Sequence, residues 1–191
     1  MEHISHFPFQ LCKKSGCFYG LLWQAIQDSY ANLFSWTVLP QFAYRAITDT
    51  LKTESPMAKR IVDPFAGSSF HMCMMKQISN FEVYANKSTS IKGAKVSWPI
   101  QVHQIDPLDT EFQLDDILWL SWIPDQSTLG TQLLHVFPGE ICVYIGEDKG
   151  GCCGSDCLFE ELDQNWQELK KISIPVFPGF CDAITVYKRK Q

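Results

Sequence analysis

The run Lys59-Arg60-Ile61-Val62-Asp63-Pro64-Phe65-Ala66-Gly67-Ser68-Ser69 decides the fold. Arg60-Ile61-Val62 is a short apolar stretch of strand character, and it breaks at once into a turn of small residues. Residues 68–78 then read as a helix. A strand, a tight turn and a helix start in direct succession open a βαβ unit. In such a unit the turn and the helix N-terminus face the crevice at the strand's carboxyl end. Gly67 has no Cβ, so its backbone approaches a ligand closely. Ser68 and Ser69 offer hydroxyls and N–H groups to a ligand, or cap the helix. A plain strand-to-helix turn that binds nothing has the same local pattern, so the flanking chain must decide.

Downstream, residues 81–85 and 100–105 read as the second and third strands. Residues 116–122 are brief and strongly apolar, as in a strand buried on both faces. A helix at 129–137 closes at Pro138-Gly139, a buried strand follows at 141–145, and a helix covers 158–170. The chain ends as a strand at 172–176, a Pro178-Gly179 turn and a strand at 183–188, which together read as a hairpin. Upstream, Leu21, Leu22, Ile26, Tyr30 and Leu33 recur near a helical period. Pro40 splits this region, and residues 41–51 continue as a second helix with Phe42, Ala43, Ala46 and Ile47 on one face. Strand–helix alternation predicts an α/β fold with a doubly wound, mostly parallel sheet, right-handed crossovers and a C-terminal antiparallel hairpin. No repeat or linker divides the chain, so residues 1–191 read as one domain, with a helical cap over 1–58 and the α/β core over 59–191.

Asp63-Pro64-Phe65-Ala66-Gly67-Ser68-Ser69 resembles the first motif of the class I S-adenosylmethionine-dependent methyltransferases, most of all its Asp-Pro-Phe-x-Gly-Ser-Gly form. Ser69 stands where a second glycine is usual, and it narrows the pocket. The terminal hairpin resembles the same Rossmann-like architecture. The resemblance implies S-adenosylmethionine as cofactor, contacted by Asp63, Pro64, Phe65, Ala66, Gly67 and Ser68. At the end of the next strand the family places a carboxylate that accepts from the ribose hydroxyls. Asn86 holds that place here. An amide bonds hydroxyls too, without the charge-assisted strength of a carboxylate. Asp106 follows the third strand, where the family often has an acid that pairs with the adenine amino group. It also reads as the first residue of an Asp106-Pro107-Leu108-Asp109 turn, and both readings stay open.

The fourth strand ends Leu118-Trp119-Leu120-Ser121-Trp122-Ile123-Pro124-Asp125. Methyltransferases that act on base amines carry an acid or Asn, two prolines and an aromatic at that place. The match is partial, and it does not support DNA base methylation. Ser121 is a candidate to orient a nucleophile, and Trp122 to wall the pocket or stack on a planar or cationic group. Both also fit a core strand end. After the fifth strand comes a glycine-dense loop in which Glu147 is a candidate base or amine anchor. Ser35-Trp36-Thr37-Val38-Leu39-Pro40 resembles an upstream Trp- and Pro-containing element of similar proteins. Trp36 is therefore a candidate lid over the cofactor, or else a buried helix-end tryptophan.

The bulk properties narrow the class. A chain of 191 residues is long enough to bury about 70% of its unfolded surface. The formal charge of −5 argues against an electrostatic nucleic-acid partner. The first residues lack the charged-then-apolar order of a signal peptide, and no apolar stretch approaches a membrane span. The eight cysteines then read as reduced thiols of a cytoplasmic protein. Neither CCxxxC nor CxxxxC matches zinc spacing, and His71-Met72-Cys73 point to different helix faces, so no metal is expected. These observations together point to a methyltransferase acting on a small molecule or a protein group. The alternative is a degenerate member of the fold that keeps a binding or regulatory role.

Overall fold

The structure, a computed structural model, describes residues 17–86 and 98–190. Its core is a seven-stranded sheet of β1 (Arg60–Asp63), β2 (Glu82–Asn86), β3 (Val102–His103), β4 (Asp116–Ser121), β5 (Ile141–Gly146), β6 (Trp166–Ser173) and β7 (Ala183–Arg189). The strand order is β3-β2-β1-β4-β5-β7-β6. The first five strands of that order run parallel, and β7 is antiparallel to both β5 and β6. This is the doubly wound, mostly parallel sheet with a C-terminal antiparallel hairpin that the strand–helix alternation predicts.

Five helices surround it among the described residues: α1 (Cys17–Leu33), α2 (Gln41–Glu54), α3 (Phe70–Ile78), α4 (Leu129–Val136) and α5 (Asp156–Asn165). The alternation of β4 side chains shows why both faces need cover. Ile117 and Trp119 point into one core with Tyr44, Ile47 and Leu51 of α2 and with Met72 and Met75 of α3. Leu118 and Leu120 point into a second core with Leu133 and Leu134 of α4 and with Leu158 and Leu162 of α5. A strand apolar on both faces has to sit in the middle of such a sandwich, and each of these side chains contributes about 1.5–3 kcal/mol by leaving water.

One ion pair fixes the register that matters for function. Asp116, 2% exposed, accepts from Arg60 Nε and Nη2, both at 2.7 Å, and from the backbone N–H of Gln113 at 2.7 Å. A buried carboxylate is tolerated when its lone pairs are met this completely. The pair sits at the matched position Arg60↔Asp116, so the carboxyl ends of β1 and β4 lie side by side.

The boundaries differ most from the sequence expectation at four places, and the strand expected over 172–176 also stops early, at Ser173. Helix α3 begins at Phe70 rather than at residue 68, because Ser69 adopts a left-handed conformation. Strand β4 stops at Ser121 because Trp122 is left-handed too, at φ 48°. The edge strand β3 keeps two residues of the six expected. The helix expected over 158–170 ends at Asn165, and Trp166-Gln167-Glu168-Leu169-Lys170-Lys171 is strand instead. Pairing with β7 overrides a locally helical composition there, and a bulge between Glu168 and Lys170 blurs the two-residue alternation that marks a strand.

Candidate ligand-binding site

A cavity of about 570 Å³ opens where β1 and β4 end, within the range of small-molecule sites. Its walls come from the end of α1 and the segment after it, from the loop after β1 with the first turn of α3, and from the residues following β4.

The loop is built from the inside out. Asp63, the last residue of β1, is 3% exposed, and its Oδ1 accepts from the Phe65 N–H at 2.9 Å. Ala66 N–H donates to the Asn86 carbonyl at 2.9 Å, which ties the loop to the end of β2. Gly67 has φ +53°, and a Cβ added there meets nothing within 4 Å. The Ser68 hydroxyl donates to the Phe34 carbonyl, so it fastens the loop to the end of α1. Phe34 also packs on Phe70 at 5.3 Å between ring centres.

Ser69 carries the local strain. Its φ of 66° and ψ of 13° suit glycine, and its buried hydroxyl has no partner. Ser69→Gly should therefore raise stability by about 1–2 kcal/mol, since it removes both the strained L-residue and an unpaired buried group. Urea denaturation measures this; a loss of stability would mean the hydroxyl has a partner that matters.

Burial pushes the Asp63 carboxyl up to about 7, against a smaller downward pull from the Phe65 N–H. His71, on the first turn of α3, is 5% exposed, and burial lowers it to about 3, so its ring is neutral. Its Nδ1 lies 2.8 Å from the Tyr44 hydroxyl, and its Nε2 has no partner. Among the described residues the cavity lining includes Asp28, Asp63 and Asp125 and no lysine or arginine. Trp36 lies over Trp122, stacked at 5.3 Å with planes 17° apart, and Trp122 also contacts Phe180 at 5.5 Å.

The structure brings Trp36, Asp63, Phe65, Ala66, Gly67, Ser68, Ser121 and Trp122 together around this one cavity. Pro64, Asn86, Asp106 and Glu147 lie outside its lining. Asn86 is fully buried and turns its amide to Thr110 Oγ1 at 2.7 Å. Asp106 is exposed and accepts from the Leu108 N–H at 3.0 Å, capping the single 3-10 turn Pro107–Asp109. Glu147 is buried and accepts from the N–H groups of Cys152 at 2.7 Å and Cys181 at 2.8 Å. It clamps the loop after β5 to the start of β7.

Among the described residues no group of three or more His, Cys, Asp or Glu could hold a metal. No described helix is long and apolar enough to cross a membrane. The loop thiols are held protonated: the Glu147 carboxylate raises Cys152, and burial pushes Cys153 up to about 12. The sequence reading missed His71, Asp28 and Phe34 as cavity residues. Nothing local marks them, because helix packing brings them to the loop.

No family model matches the chain, and no curated protein matches it either. Solved structures do share the fold. The Thermoplasma acidophilum protein 1320 superposes with a TM-score of 0.52 at 14% identity, covering 78% of this chain and 89% of that one. The E. cuniculi Mtq2–Trm112 complex, described as responsible for the methylation of the eRF1 translation termination factor, gives 0.49 at 12% identity over 81% of this chain and 98% of that one. The N-terminal domain of EvdMO1 with SAH bound also gives 0.49 at 12% identity, over 81% and 82%. At such identities the likeness is one of fold. The architecture is a Rossmann-like, doubly wound α/β fold with a C-terminal antiparallel hairpin, as the strand–helix alternation implies.

Proposed function

We propose that this chain binds S-adenosylmethionine in the cavity at the ends of β1 and β4 and transfers its methyl group to a small-molecule or protein acceptor. The buried Asp63 side chain, set beside the open backbone of Gly67 in a cavity that Asp28 and Asp125 also line, carries this reading. Such a site favours a ligand with positive charge, and S-adenosylmethionine has both a sulfonium and an ammonium. In this reading Asp63 accepts from the ammonium. Phe65, Ala66, Gly67 and Ser68 form the floor, with Pro64 turning the chain behind it.

When bound, the cofactor supplies an already activated methyl group, so what the protein adds is chiefly positioning. Trp36 and Trp122 wall the cavity and exclude water from it. In this reading Ser121, which lines the cavity, orients the acceptor. Glu147, through its two N–H partners, keeps the loop carrying Cys152 against the site. In this reading 1–58 is the helical cap and 59–191 the core of one domain, a division of which residues 1–16, 87–97 and 191 lie outside the described residues.

A second reading has its own observation. Asn86 gives an amide N–H to Thr110 while its Oδ1 is buried without a partner, Asp106 accepts from its own turn, and neither residue lines the cavity. A protein that keeps the fold for binding or regulation, with its chemistry lost, accounts for both. Calorimetric titration with S-adenosylmethionine and S-adenosylhomocysteine separates the two readings. Micromolar binding of both is the expected result, and no binding up to millimolar concentrations would favour the degenerate scaffold.

A further inference from the structure

Glu147 lies outside the cavity lining, and what its buried carboxylate gathers is a pair of cysteines. One oxygen accepts from the Cys152 N–H at 2.7 Å and the other from the Cys181 N–H at 2.8 Å. Those two oxygens share one carbon, so two cysteines far apart in the chain meet across a single group. Gly151 passes so close to Glu147 that an added Cβ would collide with the glutamate Cβ, which means the loop wraps this side chain. Cys153 pairs with Pro124 and buries its thiol in the core that holds Leu118 and Leu158. Cys152 is turned outward instead. It is exposed and free, and so is Cys181.

The Cys152 sulfur lies on the same side as the two N–H donors. The Glu147 carboxylate raises its pKa by charge and also as a hydrogen-bond partner, and Asp182, the residue after Cys181, adds to the rise. A thiol that feels both acids sits between the loop and the start of β7. A disulfide needs Cα atoms about 4.4–6.8 Å apart. Two residues donating to the two oxygens of one carboxylate are held near that range. Gly150, at φ +87° with nothing within 4 Å of an added Cβ, gives the loop room to close the remainder. Cys157 is exposed as well, but it belongs to the first turn of α5.

We propose that Cys152 and Cys181 form a reversible disulfide, made and broken by exchange with glutathione, that pins the loop after β5 to the start of β7. The Cys152 thiol loses its proton to solvent, and the thiolate attacks one sulfur of oxidised glutathione. A mixed disulfide forms and one glutathione thiolate leaves. The Cys181 thiolate then attacks the Cys152 sulfur, which closes the bond and releases the second glutathione. The two cysteines give up two electrons, and oxidised glutathione takes them. Such a pair stays open while the glutathione pool is reduced and closes as it oxidises. Cys152 lines the cavity, and Phe180, next to Cys181, packs on Trp122 of its wall, so the bond stiffens that wall whichever ligand the cavity takes.

The test is a peptide map of the full chain after incubation with oxidised glutathione, blocking of free thiols and digestion with trypsin. Cleavage after Lys149, Lys170, Lys171 and Lys188 leaves Cys181 as the only cysteine of residues 172–188, and puts Cys152, Cys153 and Cys157 together in residues 150–170. Mass spectrometry should find these two peptides joined, lighter than their sum by the two hydrogens given to glutathione. The link should disappear in Cys152→Ser, persist in Cys157→Ser, and open in dithiothreitol. The oxidised wild type should also melt about 5–15 °C above the reduced one, the rise expected for closing a loop of this length, and Cys152→Ser should show no such rise. Glutathione adducts without the link, a link that survives Cys152→Ser, or one that forms no faster in the native chain than in urea would each overturn the proposal.

Discussion

Asp63→Asn should lower the affinity for S-adenosylhomocysteine by about 30- to 1,000-fold, the cost of taking one charge out of a buried hydrogen-bonded pair. The same change should make the ligand-free protein more stable at neutral pH. Both effects come from one group held away from water. Burial raises the Asp63 carboxyl from 3.8 to about 7. Below the lower value, folded and unfolded chains both hold the proton, and Asp63 adds no pH dependence. Between the two values only the folded chain holds it, so stability falls as pH climbs; above the upper value the loss is complete and the profile is flat. Asparagine has no proton to lose, so the variant should lack that slope. Urea denaturation at acid and at neutral pH reads it directly.

Ligand binding should show the opposite trend with pH. An ammonium partner favours the ionised carboxylate, so binding below the folded pKa must expel a proton. Affinity should therefore rise toward neutral pH and level off above it. Calorimetry in buffers of different ionisation enthalpy should detect the proton released, and the Asp63→Asn profile should be flat. If the variant binds as the wild type does at every pH, Asp63 does not meet the ligand's charge.

What the sequence made legible, and what it hid, follows the range over which each feature is determined. The turn after β1 is local. Asp63 holds the Phe65 N–H two residues away, and Gly67 supplies a positive φ, so the motif and its place in the fold are visible in nine letters. Strands β4 and β5 are nearly as plain, because an apolar run buried on both faces has few alternatives. The start of β6 was hidden because pairing with β7, not local propensity, decides it. Asn86 was placed correctly at the end of β2, yet which way its amide turns depends on Thr110, twenty-four residues on. His71 joins the cavity through Tyr44, twenty-seven residues earlier, and no spacing rule connects them. Glu147 looked like a free acid in a glycine-rich loop. Its two backbone donors, Cys152 and Cys181, come from segments that only the folded sheet brings together.

Gly67→Leu should keep the fold and remove ligand binding by at least about 100-fold, and pairing it with Gly67→Ala separates the two ways a larger residue can act. Both variants place an L-residue at φ +53°, a strain of about 1–2 kcal/mol that denaturation should register equally in each. At Cβ neither variant meets a described protein atom within 4 Å. The variants differ only in the volume beyond Cβ, and Gly67 lines the cavity, so the leucine branch has the ligand's space to occupy. Alanine should then lose little affinity, while leucine abolishes it at unchanged stability. If leucine binds S-adenosylhomocysteine like the wild type, the ligand does not pass over this loop. If leucine unfolds the chain where alanine does not, the space beside Gly67 is filled by protein, and the cofactor reading loses its floor.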